Sequence, residues 1–163
     1  MTKMRFAGRL LALAVAAATL PAAAHAESFG GQARAISGDT LEVGGRTVRL
    51  FGIDAPDSAQ RCDHAGLTWQ CGEAARQRLA ALVVGRQVQC IATGVDVHQR
   101  TVAVCAAGLT DLNRTMTELG LAKAQAGRGD VYLPVQGRAQ ARHVGIWAPP
   151  AAAPSFAFTE TLR

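Results

Sequence analysis

The order of apolar, turn and helical patterns predicts a mainly β fold with helices, a small five-stranded closed barrel of OB type carrying about three helices. Three observations predict it. Three β-rich runs lie before residue 54, and two more lie between 88 and 106. A helical pattern at 72–84 separates the two groups. Further helical patterns follow the last strand.

Residues 31–36 read as a first strand entering the turn Ser37-Gly38-Asp39-Thr40. Leu41-Glu42-Val43 and 46–53 are β-rich and flank Gly44-Gly45, a dipeptide that signals a tight hairpin. With those glycines as the turn, Val43 faces Arg46 and Thr40 faces Arg49. That register brings Arg49 close to Asp39 across the ladder. Residues 57–71 read as a polar loop. In the 72–84 helix, Ala75, Leu79, Leu82 and Val83 fall at helical spacing, and Gly85 ends it. Strands at 88–92 and 101–106 flank a polar turn at 94–100. Thr110 is placed to cap a helix running to Glu118, with Gly120 as its stop. A last helix starts near Pro134 and ends at Gly145-Ile146-Trp147.

Residues 1–26 read as a secretory signal peptide: Lys3, Arg5 and Arg9 lead an apolar stretch at 10–20, and Ala24-His25-Ala26 gives a small-residue cleavage site. The apolar stretch is too short to span a membrane. The expected organisation is a leader at 1–26, one domain at 27–147, and a Pro/Ala-rich tail at 148–163 that is mostly disordered. The expected destination is periplasmic or secreted. The chain has 17 Lys+Arg against 12 Asp+Glu, net +5; without Lys3, Arg5 and Arg9 the balance is 14 against 12, net +2. That weak positive balance permits polyanion binding without arguing for it. Four cysteines allow three pairings. Cys62–Cys71 and Cys90–Cys105 are expected, because each closes a local loop and an oxidising compartment favours disulfides. Zinc, with His64 as an extra ligand, is the rival reading, weakened by the lack of any C-x-x-C pair.

Two segments carry the chemistry: Ser37-Gly38-Asp39-Thr40 and Arg49-Leu50-Phe51-Gly52-Ile53-Asp54-Ala55-Pro56-Asp57. Carboxylate oxygens suit a hard divalent cation, and a guanidinium suits a phosphate. Asp39 and Asp54 are the candidate metal ligands. Arg49 and Arg100 are the candidate phosphate clamp, and Asp57 is the candidate group to orient or deprotonate water. Taken singly, each residue has an ordinary structural reading. Gly-Asp-Thr is a common turn, Asp54-Ala55-Pro56-Asp57 ends a strand, Arg49 pairs with Glu42, and Arg100 sits in a solvated turn. Asn113 reads as a residue that satisfies backbone groups near a helix start.

With Asn113 ahead of Leu119-Gly120-Leu121-Ala122 and a closing Gly-Ile-Trp, these two segments make the chain resemble the staphylococcal nuclease (thermonuclease) family. The resemblance runs from about Gly31 to Trp147. It implies an OB-fold barrel with three helices and calcium-dependent hydrolysis of DNA and RNA, with single-stranded or flexible strands preferred and 3′-phosphorylated products. By position, it implies Asp39, Asp54 and the Ala55 carbonyl as calcium ligands, Arg49 and Arg100 as phosphate-binding arginines, and Asp57 where the family has the glutamate that orients or activates water. A monomer acting away from membranes is the expected form.

The departures define the alternative, a non-catalytic nucleic-acid or ligand-binding OB-fold module with a degenerate site. Asp57 is one methylene shorter than glutamate, a reach difference of roughly 1–1.5 Å. A misplacement of about 1 Å at a catalytic group costs on the order of 10²-fold. The family's Asp-x-Tyr-Gly-Arg turn is here Asp96-Val97-His98-Gln99-Arg100, and loss of the glycine is expected to re-aim Arg100. No aromatic stands near Ala126, where the family offers a stacking tyrosine worth about 1–3 kcal/mol per base. Gln136 replaces a glutamate, a change expected to be structural.

Overall fold

The computed structural model describes residues 26–64 and 67–148. The expected signal peptide, but for Ala26, and the expected tail, but for Ala148, lie outside the described residues. Chain order is β1 (Ser28–Ala35), β2 (Thr40–Val43), β3 (Arg46–Leu50), β4 (Ile53–Asp54), β5 (Cys62–His64), β6 (Leu67–Trp69), α1 (Cys71–Val83), β7 (Gln87–Val95), β8 (Thr101–Ala107), β9 (Thr110–Asp111), α2 (Leu112–Glu118), β10 (Lys123–Ala124) and α3 (Leu133–Ala141). Short 3-10 turns flank α3 at Asp130–Tyr132 and Gly145–Trp147.

Five strands run in the spatial order β3-β2-β1-β7-β8. Neighbours are antiparallel, and β3 and β8 then pair in parallel, Val48 with Thr101 and Leu50 with Ala103, which closes the barrel. This is the expected OB-type barrel with three helices. Gly44 and Gly45 take φ of 56° and 82°, the positive pair that a type I′ hairpin turn requires. The resulting register sets Val43 opposite Arg46 and Thr40 opposite Arg49, as the sequence predicts.

Leu41, Val43, Val48, Leu50, Val88 and Ala103 fill the interior with Leu79 of α1 and Met116 of α2. Each fully buried Leu contributes about 1.5–3 kcal/mol by leaving water. Both expected disulfides are present, Cys62–Cys71 and Cys90–Cys105. Among the described residues no cysteine is free, so no thiolate remains for zinc.

The structure differs from expectation in its short elements. The 57–71 loop contains the β5–β6 hairpin, with Cys62 opposite Trp69. Asp111, not Thr110, caps α2: its carboxylate accepts from Arg114 N at 2.9 Å while Thr110 remains in β9. β7 runs on to Val95 through an irregularity between Ala92 and Gly94. A ladder of two-residue strands, β4 with β10, pairs Asp54 with Lys123. Strands that short carry no periodicity to read.

Candidate functional site

The hydroxyls of the Ser-Gly-Asp-Thr turn organise its carboxylate. Ser37 Oγ and Thr40 Oγ1 both donate to Asp39 Oδ1 at 2.9 Å. The Ala55 amide donates to Asp39 Oδ2 at 3.2 Å, tying the two functional segments together. Leu50 N donates to the Asp39 carbonyl at 2.8 Å, so the turn is also fastened to β3. Asp39 is buried, and its orientation is set before any ligand arrives.

Arg49 lies opposite Thr40 in the ladder and reaches both carboxylates. Its Nη2 stands 3.2 Å from Asp39 Oδ2 and 2.6 Å from Asp54 Oδ1. Two hard oxygen donors, one from the turn before β2 and one from β4, thus converge on one cationic nitrogen. That donor set fits calcium, with the guanidinium standing where positive charge is wanted. Among the described residues no three His, Cys, Asp or Glu side chains gather as a metal cluster. An ion held by Asp39, Asp54 and the Ala55 carbonyl would therefore take its remaining ligands from water or substrate.

Asp57 is held by its backbone rather than by its side chain. Gln60 N donates to the Asp57 carbonyl at 2.7 Å, and Asp57 N donates to Gln60 Oε1 at 3.3 Å. Gly72, in the first turn of α1, donates its N–H to the Gln60 carbonyl at 3.2 Å. It packs so closely that a Cβ there would lie 1.7 Å from the Asp57 carbonyl oxygen. Ser58 Oγ donates to the Ile36 carbonyl at 3.2 Å, just before the Asp39 turn. The Cys62–Cys71 disulfide fastens the same loop to the start of α1. The Asp57 residue is exposed, and among the described residues its carboxylate has no hydrogen-bond or ion-pair partner.

Arg100 keeps a defined direction despite the missing glycine. Gln99 takes the left-handed φ of 60° itself, at a strain cost of about 1–2 kcal/mol. Asp96 then closes the turn: Oδ1 accepts from His98 N at 2.9 Å and Arg100 N at 3.0 Å, and Oδ2 accepts from Arg100 Nε at 2.7 Å. Desolvation pushes the Asp96 carboxyl upward, but the hydrogen bonds from Arg100 and His98 and the Arg100 charge outweigh it and hold the group below its ordinary value. A non-glycine residue thus occupies the left-handed region of backbone space, with the Asp96 bonds offsetting its strain.

Arg49 and Arg100 line one cleft of about 470 Å³, with Phe51, His98, Gln125 and Arg128 also on its walls. Asp39 and Asp54 reach this cleft through Arg49. None of Asp39, Asp54 and Asp57 is itself among its lining residues.

Several contributors carry no sequence signal of their own. Gln60 grips Asp57 from a polar loop, and Gln125 and Arg128 reach the cleft from a segment without periodicity. Asn113 is fully buried and structural: Oδ1 accepts from Cys105 N at 3.0 Å, and Nδ2 donates to the carbonyls of Phe51 at 2.9 Å and Ala103 at 3.3 Å. Gln136 is structural too, its Oε1 accepting from Ala124 N at 2.8 Å.

The staphylococcal nuclease homologue family matches residues 47–149. Succinoglycan biosynthesis protein ExoI of Rhizobium meliloti is 36% identical over 129 residues, covering 77% of this chain and 68% of that protein. An uncharacterized endonuclease of Haemophilus influenzae is 34% identical over 103 residues, covering 62% of this chain and 53% of that protein. Micrococcal nuclease of Shigella flexneri is 33% identical over 144 residues, 78% of each chain. The barrel, the Asp39–Arg49–Asp54 cluster and these matches lead to one conclusion: the chain belongs to the staphylococcal nuclease homologue family, which supports a nuclease-type function.

Proposed function

We propose that this chain is an exported, calcium-dependent endonuclease that hydrolyses phosphodiester bonds of single-stranded or flexible DNA and RNA, leaving 3′-phosphorylated products. The observation that supports it is the convergence of Asp39 Oδ2 and Asp54 Oδ1 on Arg49 Nη2, beside a cleft shared with Arg100. Calcium bound by Asp39, Asp54 and the Ala55 carbonyl would neutralise charge that grows on the phosphate oxygens. Arg49, relieved of its carboxylate partners, turns to a non-bridging oxygen. Arg100 takes another, and both contacts strengthen as charge develops. Asp57 orients the attacking water and accepts its proton. The water oxygen bonds to phosphorus as the bond to the 5′-oxygen breaks, and the leaving oxygen takes a proton from solvent. In this reading the enzyme acts as a monomer, and the disulfides suit an oxidising compartment.

The test is degradation of denatured DNA by the purified 27–163 chain with calcium, abolished by a chelator. Arg49→Ala should abolish it as well. Equal cleavage by Arg49→Ala would refute the assignment.

One observation favours a second reading, a nucleic-acid-binding module without turnover: Asp57 is a methylene short, and among the described residues no partner aims its carboxylate. Asp57→Glu separates the two. A large gain in cleavage identifies a short-armed nuclease. Calcium-dependent binding with no cleavage by either protein identifies the binder.

A further inference from the structure

We propose that Arg128 is a third phosphate-binding residue, holding the phosphate next to the one being cleaved, so that the cleft selects strands with at least two phosphates over a lone phosphodiester. The inference rests on the nuclease reading of the same site and adds the length of strand it engages.

Three arginines line the cleft, Arg49, Arg100 and Arg128. Arg49 is paired with Asp39 and Asp54, and Arg100 with Asp96. Among the described residues Arg128 has no ion pair and no side-chain hydrogen bond. It therefore adds uncompensated positive charge to the wall where a polyanion lies. One phosphate seated between Arg49 and Arg100 satisfies those two and leaves Arg128 for its neighbour.

The mounting of Arg128 is rigid. Gln125 N donates to the Gly52 carbonyl at 2.9 Å, and Arg128 N and Gly129 N both donate back to the Gln125 carbonyl, at 3.2 Å and 2.6 Å. A Cβ on Gly129 would lie 1.8 Å from the Gly52 carbonyl oxygen, and one on Gly52 would lie 2.8 Å from Gly129 Cα. The turn carrying Arg128 therefore lies flush on the Phe51-Gly52 corner, three residues beyond Arg49. The seating acts on the backbone and leaves the exposed Arg128 side chain open to a ligand. A backbone held in place narrows the positions from which the guanidinium can meet a phosphate.

The experiment compares wild type, Arg128→Ala and Arg128→Lys on a dinucleoside monophosphate and on a single-stranded octanucleotide. Binding of the labelled octanucleotide is followed by fluorescence anisotropy against salt, each variant placed in an Asp57→Asn background to prevent turnover. Arg128→Ala should reduce the preference for the octanucleotide over the dinucleoside by about tenfold. It should also make the log affinity–log salt slope shallower by about 0.7, the share of one neutralised phosphate on a single strand. Over a fourfold rise in salt, the parent then loses about 2.6-fold more affinity than the alanine variant. Arg128→Lys should keep the slope. Equal losses on both substrates, or none on either, overturn the proposal. Lost affinity with an unchanged slope also overturns it, since that marks stacking on a base. Failure of the nuclease reading shows separately, as absence of cleavage by the wild type, while the anisotropy slopes still decide the role of Arg128.

Discussion

Replacing Gly72 with alanine tests whether Asp57 works from a fixed backbone. The added Cβ would lie 1.7 Å from the Asp57 carbonyl oxygen and 2.6 Å from its carbonyl carbon. Contacts under 3.0 Å essentially never occur, so the Asp57 loop must withdraw by about 1.3 Å or more. The obstacle is backbone, which cannot rotate out of the way as a side-chain tip can. A displacement of about 1 Å at a catalytic group costs on the order of 10²-fold in rate, so kcat should fall about a hundredfold. Arg49 stands on β3 and Arg100 in the turn before β8, away from this loop, so KM should stay near its wild-type value. Overpacking should also lower stability by about 1–3 kcal/mol. The assay is steady-state cleavage of a single-stranded oligonucleotide with calcium, beside a thermal melt to show that the variant is folded. Asp57→Asn and the double variant complete a cycle: if Gly72 acts through Asp57, the double variant is no slower than Asp57→Asn alone. A folded Gly72→Ala protein with wild-type kcat would refute the reasoning, and so would fully additive losses.

Three further outcomes follow from the same geometry. Asn113→Ala should cost about 3 kcal/mol in urea unfolding, because it leaves the buried Cys105 N–H and Phe51 carbonyl without partners and opens a cavity; a loss below about 1 kcal/mol contradicts that account. Gln99→Gly should raise stability by about 0.5–1 kcal/mol, since relief of the left-handed strain at φ 60° exceeds the entropy cost of glycine; a lower Tm would show the turn to be unstrained. Asp96 is held below its ordinary value of 3.8, so its stabilisation is complete above that pH and disappears as pH falls through the lower folded value. The Tm gap between wild type and Asp96→Asn should therefore be widest near neutrality and close below pH 3.8. A gap that widens in acid would reverse the sign.

Part of this site is local and therefore legible along the chain. The Gly44-Gly45 turn dictates the Thr40–Arg49 register, because a two-residue hairpin has only one way to pair its strands. That register alone brings Arg49 to Asp39. The same logic exposes the Cys90–Cys105 disulfide across two adjacent strands. Asn113 reads as a backbone-satisfying residue, although its partners, at Phe51, Ala103 and Cys105, come together only in the fold.

What is not legible depends on contacts between segments far apart in sequence. No pattern in 57–71 announces that Gln60 and Gly72 grip the Asp57 backbone, because the grip exists only once α1 packs beside the loop. Nor does a glycine missing before Arg100 reveal that Asp96 compensates for it, since hydrogen bonds that offset strain leave no mark in a motif. Arg128 reaches the Arg49 cleft only because Gly52 and Gly129 meet face to face. The sequence by itself determined the barrel, the hairpin register and the identity of the carboxylates and arginines, because turn chemistry and period-two patterning act over a few residues. Only the tertiary structure decided where Asp57 stands, how Arg100 is aimed and which third cation shares the cleft. Those positions depend on close backbone approaches across the closed barrel, and one-dimensional patterning holds no record of such distances.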